Sequence, residues 1–393
     1  MKKDIFIKIQ LLFSSVPALF FYASSAYAVD LSDIDSKHHI KVRGKEVFAY
    51  DTNPLRSTNS SDTLIGSETT LGVTLGDITP THKLYLDSTL NYNRYDDSDF
   101  NTTNVHEALG LYKMNQRWMA GVEGRFDYDT TRTSEITSFG VTIPKVRSTT
   151  FALSPQVSFQ QNSLDKWSLN SNLAKVKYDN AAFADYLAAS VNPAYAHNFD
   201  PNNAGIIMLN LQHYDADNID NSRTTSIGPS LGWTSVINDR LSTKTTAGVE
   251  RSAKSSDIGN DTSRINYVFS VGINFKSEHD LANLTASRSQ QQFANGSSAL
   301  LTSIDATEEH TINDRLKLNA AANYSFTNYH DVASVNLDRQ YKVSGGATYN
   351  ILNNLDLTSK YAYINQKLTN TSDPVKEQIL LIGVEYHPDF SPL

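Results

Sequence analysis

The sequence predicts an all-β protein: a transmembrane antiparallel up-and-down β-barrel of about 18 strands, with 16 as the alternative count. Three observations carry that expectation. Segments with one apolar and one polar side recur along the chain. Short and long polar connections alternate between them, and aromatic residues gather near the segment ends.

The pattern is clearest in SRINYVFSVGINF, residues 263–275. Ile265, Tyr267, Phe269, Val271, Ile273 and Phe275 take every second position, with Arg264, Asn266, Val268, Ser270, Gly272 and Asn274 between them. A period of two places the two sets on opposite sides of a strand. Strands of ordinary globular proteins run about 5–6 residues, half the length seen here. About 13 residues at ~3.3 Å each, tilted by about 40°, rise about 33 Å along a membrane normal and so cross a ~25 Å apolar band.

In chain order, residues 1–28 come first. Lys2 and Lys3 precede an apolar run that closes on Ala26-Tyr27-Ala28. This is the form of a secretory signal cleaved before Val29, and it directs the chain out of the cytoplasm. Residues 29–44 read as a short periplasmic tail, 45–390 as the barrel and 391–393 as a C-terminal tail.

Within the barrel, Ile65, Leu71, Val73 and Leu75 oppose Gly66, Glu68, Gly72 and Thr74. Leu84, Leu86, Leu90 and Tyr92 then oppose Tyr85, Asp87, Thr89 and Asn91. Trp118, Val122, Phe126 and Tyr128 oppose Glu123, Arg125 and Asp127, and Phe151, Leu153 and Phe159 oppose Ser154, Gln156 and Ser158. Further along, Ile227, Leu231 and Trp233 form one side, as do Leu316, Leu318, Tyr324 and Phe326. Tyr341, Val343, Ala347 and Tyr349 oppose Lys342, Ser344, Gly346 and Thr348, and Leu380, Ile382 and Val384 oppose Gly383 and Glu385. Segments 104–114, 173–178, 204–214 and 281–291 alternate poorly and enter as strands because the spacing requires them.

Short turns such as MNQR, VINDR, KSEHD and ILNN alternate with longer loops such as RYDDSDFNTTN and NYHDVASVNLD, and INDRL occurs twice, at 237–241 and 312–316. Tight periplasmic turns with larger external loops are the layout of an outer-membrane barrel, and a soluble sandwich has no such two-class pattern. Trp118, Trp167 and Trp233 fall beside short turns, and Tyr92, Tyr128, Tyr178, Tyr214 and Phe326 at the loop ends. Two aromatic girdles are thereby expected.

The polar sides carry charges of both signs, giving a wet interior and weak selectivity. Candidate pore-lining residues are Glu68, Lys83, Tyr85, Asp87, Glu123, Arg125, Asp127, Lys244, Glu250, Arg264, Lys317, Lys342, Lys360 and Glu385.

The first strand and loop contain YDTNPLR at 50–56, followed by SDTLIGSETTLGVTL. That opening resembles the beta-barrel porin type 2 group of Gram-negative outer-membrane proteins, and the related EpsL-like exopolysaccharide-export barrels. The resemblance implies an outer-membrane barrel and a pore, and it carries no catalytic residues. One departure is at the C-terminus, where Ser391, Pro392 and Leu393 trail the Phe390 aromatic that barrel-assembly machinery would read.

Other function classes are weighed on the same residues. The chain has no cysteine, which excludes disulfide staples, thiolate metal sites and c-type haem attachment. The formal charge of −8 becomes −10 once the signal's three Lys and one Asp are removed. Clustered Lys and Arg for phosphate contacts are missing, so no nucleic-acid partner is expected. No G-x-S-x-G or H-E-x-x-H occurs, the ten His are scattered, and His38-His39 lacks a third ligand. No enzyme, cofactor or metal is therefore expected. Lipid, lipopolysaccharide and a polar solute or polysaccharide are the expected partners. Export of exopolysaccharide is the alternative function, with a surface adhesin and an outer-membrane enzyme behind it.

Overall fold

The computed structural model describes residues 39–56, 62–130, 146–181, 183–217, 221–257, 261–293, 298–329, 337–369 and 373–390. The expected signal segment, residues 1–28, and residues 131–145 lie outside these residues. The first nine strands are β1 (His39–Asp51), β2 (Leu64–Ile78), β3 (His82–Tyr95), β4 (Thr102–Met114), β5 (Trp118–Thr130), β6 (Arg147–Gln160), β7 (Asp165–Tyr178), β8 (Asp185–Asn198) and β9 (Asn203–Asp217). The rest are β10 (Arg223–Val236), β11 (Leu241–Ser255), β12 (Thr262–Lys276), β13 (Asp280–Gln292), β14 (Ser298–Asn313), β15 (Leu316–Tyr329), β16 (Leu337–Leu352), β17 (Leu355–Leu368), β18 (Val375–Tyr386) and the two-residue β19 (Asp389–Phe390).

Each strand pairs antiparallel with the next, and β1 pairs with β18 from Gly44↔Tyr386 to Asp51↔Ile379. Past His387 and Pro388, β19 resumes that last strand by pairing with Ile40 and Lys41. The sheet therefore closes into an 18-stranded cylinder. Closure is what lipid demands, because no water in the hydrocarbon pairs the backbone groups of an open edge. Eighteen strands at ~4.8 Å spacing and about 40° tilt give a backbone diameter of roughly 36 Å. The poorly alternating segments are strands β4, β7, β9 and β13.

β1 starts at His39, six residues ahead of the expected Lys45 boundary. The reason is pairing: His39 to Gly44 supply the partners of Leu71 to Gly76 on β2, which would otherwise be a bare edge.

Connections at the rim where β1 starts span two to four residues between strand ends, and those at the other rim span five to sixteen. The repeated INDRL has one local cause. Asn238 Oδ1 accepts from the amides of Arg240 and Leu241 at 2.9 Å each, and Asn313 Oδ1 accepts from those of Arg315 and Leu316 at 2.9 and 3.0 Å. Such Asx turns replace backbone partners that a tight reversal cannot supply. Asn115 closes its turn the same way on Arg117 and Trp118.

The large apolar side chains point outward. Leu71, Leu109, Phe151, Leu231, Ile265, Val343 and Ile382 are all exposed. Trp118, Trp167 and Trp233 stand on the outside at the short-turn rim, packed against Phe159, Tyr195 and Phe199 with centroids 4.4, 4.8 and 5.3 Å apart. Tyr92, Tyr128 and Phe326 are exposed at the loop rim.

Two expected rim aromatics differ. Tyr214 is buried and packs on Tyr186, and Tyr178 is half-buried against Phe183 and Tyr186. Both sit at even positions, whereas Trp167 and Leu173 on β7 and Ile207 on β9 mark the outer face with odd ones. Position along a strand sets height, but register parity sets the side.

Candidate channel interior

The inner face is built by the opposite parity. Glu68, Lys83, Asp87, Glu123, Arg125, Lys244, Lys342 and Glu385 are half-buried there, and Tyr85, Asp127 and Glu250 are buried. Arg264, Lys317 and Lys360 share the inner register with more exposure, Arg264 near the loop rim and Lys317 near the short-turn rim.

Some of these charges are paired and others are not. Arg125 Nε lies 2.6 Å from Asp127, which also meets His106 Nδ1 at 2.8 Å. Lys45 reaches Glu385 at 3.6 Å and Lys317 reaches Glu309 at 3.4 Å. Asp87 accepts from Thr74 Oγ1 at 2.6 Å and Glu68 accepts from the Tyr95 hydroxyl. Lys83, Lys244, Lys342 and Lys360 have no ion-pair partner among the described residues.

Several long inner side chains lie flat along the wall rather than projecting across the lumen. Tyr85 on β3 crosses β4 at Gly110 and donates its hydroxyl hydrogen to Glu123 on β5. Its ring is stacked with Tyr112 at 6.3 Å, and Tyr112 in turn crosses Gly121 and donates to the same carboxylate at 3.3 Å. Arg43 crosses Gly72 to reach Thr89 Oγ1 at 3.0 Å.

A Cβ at position 110 would stand 2.1 Å from the Tyr85 ring. Gly110→Val is therefore expected to lift Tyr85 off the wall into the lumen, lowering single-channel conductance while the barrel still assembles. A conductance histogram of the variant equal to that of the parent would refute this reading of the glycine.

The YDTNPLR stretch has a structural role the sequence alone did not reveal. It fastens the junction of the first and last strands. The Thr52 amide donates to Gln378 O at 3.0 Å, the Gln378 amide donates back to Thr52 Oγ1 at 2.8 Å, and Asn53 Nδ2 donates to Lys376 O at 3.2 Å. Asn53 O accepts from the Arg56 amide at 3.0 Å across Pro54-Leu55. Arg56, at φ 48°, then sends its guanidinium inward to Glu377, with Nε 2.6 Å from Oε2. Both side chains are almost wholly buried, at 3% and 1% exposure.

Sequence reasoning missed this pair because the partners are 321 residues apart. It also missed the inner aromatics Tyr112, Tyr178, Tyr186 and Tyr214. The even-position parity of β4, β7, β8 and β9 was the signal that could have found them.

The least exposed inner residues, Tyr214, Ser226, Gln290, Gln366 and Glu377, all lie toward the loop ends of their strands, so the inner wall is packed there. Closer to the short turns the lining is half-exposed, as at Lys83 and Asp356. Among the described residues no group of three or more His, Asp or Glu is placed to hold a metal.

Comparison with known proteins agrees with this architecture. Residues 277–387 match the family described as "Putative beta-barrel porin 2". That match spans β13 to β18, the last third of the cylinder in chain order, away from the YDTNPLR opening in sequence. No curated protein matches the chain. Among solved structures, the FrpB iron transporter from Neisseria meningitidis aligns in its F5-1 variant at 10% identity, over 91% of this chain and 83% of its own, with a TM-score of 0.51. The F3-3 variant aligns at 9% identity, over 91% and 82%, with a TM-score of 0.50. Acinetobacter baumannii OccAB2 aligns at 11% identity, over 90% and 98%, with a TM-score of 0.48. At these identities the FrpB likeness is one of fold. The chain has the fold of an outer-membrane β-barrel, clad in apolar side chains and lined by polar ones.

Proposed function

We propose that this porin-type barrel is a passive channel that passes small polar solutes across the outer membrane. The observation that carries the reading is the inner wall. Charges of both signs line it, four of its lysines form no ion pair among the described residues, and several of its long side chains lie along the wall over glycines. Unpaired charge requires water, and a cylinder of this strand number holds an aqueous path. Because neither sign forms an unbroken ring, ion selectivity is weak.

Glu68, Lys83, Asp87, Glu123, Lys244, Lys342, Lys360 and Glu385 are the residues we assign to the lining. Outward-facing Arg94, Lys175 and Lys177 near the loop rim suit the phosphates of lipopolysaccharide. In planar bilayers the folded protein is expected to give discrete conductance steps with a cation-to-anion permeability ratio within a few fold of unity. Folded protein that inserts and never conducts would overturn the channel reading.

A further inference from the structure

One seam of the cylinder is incomplete. β12 and β13 pair only from Lys276↔Leu281 up to Phe269↔Arg288, and the next seven residues of β12, Thr262 to Val268, have no ladder partner on that side. Their other side is fully paired to β11. The cause lies in the upper ends of β13 and β14, around Gln290, Phe293 and Ser298, which turn inward. Gln290 is wholly buried, accepts from the inward-facing Asn266 Nδ2 at 3.3 Å and donates to Ser298. Phe293 O accepts from the Tyr214 hydroxyl at 2.9 Å, although Tyr214 stands on β9, four strands away.

The parting begins at Arg288, eight residues above the start of β13. At ~3.3 Å per residue and about 40° tilt that is ~20 Å above the short-turn rim, inside the outer leaflet. Backbone groups parted at that depth need polar company.

The side chains at the apex are mixed in character. Ile265 and Tyr267 are 71% and 73% exposed on the outer face, more than any other large apolar residue described. Arg288 shares the outer face with Phe269, its register partner. It has no hydrogen bond or ion pair among the described residues, and its Nε is shielded from solvent. A half-buried guanidinium without a partner calls for an anion.

We propose that the parting between β12 and β13 is a binding cleft for an anionic amphiphile. Arg288 takes the carboxylate or phosphate head, Ile265 and Tyr267 border the parting above it, and the tail runs past Phe269 toward the bilayer midplane. The cleft faces the outer leaflet, so its occupancy does not depend on whether the lumen conducts.

The probe is 11-(dansylamino)undecanoate, titrated by fluorescence onto the full chain held in a nonionic amphipol, with its methyl ester as the neutral-headed control. The acid is expected to bind at least about tenfold more tightly than the ester, as a charge-assisted contact supplies. Arg288→Gln should remove that preference and Arg288→Lys retain most of it. Arg251→Gln, on the outer face of the neighbouring strand, should leave it unchanged. Laurate or dodecyl phosphate should displace the probe, and the more effective of the two identifies the head group.

Equal binding of acid and ester to the native chain would overturn the proposal. So would an Arg288→Gln variant, folded by its heat-shifted gel mobility, that keeps the full preference, or displacement by neither competitor. Should that variant fail to assemble, the acid-to-ester ratio on the native chain still decides.

Discussion

Replacing Glu377 with Ala is expected to destabilise the barrel by about 3–5 kcal/mol, the largest effect of any single substitution considered. Glu377 and Arg56 are almost wholly buried and 2.6 Å apart, so deleting the carboxylate takes from a buried guanidinium its charge-bearing partner at that distance. The cost is therefore mostly that of a buried charge deprived of its ion-pair partner and not the net worth of the pair. Arg56→Ala is expected to be destabilising as well, since it removes the cation from a buried carboxylate.

A double replacement by Met at 56 and Leu at 377 should recover most of the loss, because well-packed apolar substitutes for a buried ion pair are often neutral. Urea unfolding in detergent, followed by the heat-shifted gel band, measures all three. Equal stability of parent and Glu377→Ala would refute the role of the pair in closing the cylinder. The position adds weight: β1 and β18 are the only neighbours along the closed sheet whose union no turn enforces. Their junction depends on pairing and on the Asp51–Arg56 stretch.

The second expectation compares adjacent residues on β16. Ala347→Arg is expected to cost about 2–4 kcal/mol, and Thr348→Arg a small fraction of that. Ala347 pairs with Leu318 and Ser359 on the outer face, five residues above the end of the strand. At ~3.3 Å per residue and about 40° tilt that is ~13 Å above the short-turn rim, near the middle of the apolar band. Thr348 lies on the inner register with Lys317. An arginine there meets water and the carboxylates of the lining. Equal losses at the two positions would show that the outer face is not in contact with lipid.

How much of this was legible follows from what each feature depends on. The strands of strict alternation, such as β2 and β12, were readable because lipid on one side and water on the other write a period of two into the chain. β7 and β9 were not, since their inner faces carry Ala174, Val176 and Tyr214, apolar residues packed where the interior is covered. Their outer faces meanwhile carry Lys175 and Lys177 above the apolar band. Tyr178 and Tyr214 were misplaced for the same reason.

Among the lining residues, inward orientation followed from parity. Partnership did not: Arg125 with Asp127 shares one strand, whereas Tyr85 with Glu123 spans three and needs Gly110 between them.

The sequence by itself determined the periodicity, the two classes of connection and the aromatic rims, because these are local responses to the boundary between hydrocarbon and water. Tertiary structure alone decided where the cylinder closes, which inner charges meet and where the wall parts. The closure joins residues hundreds of positions apart, and all three outcomes rest on a register that only the closed ring of strands fixes.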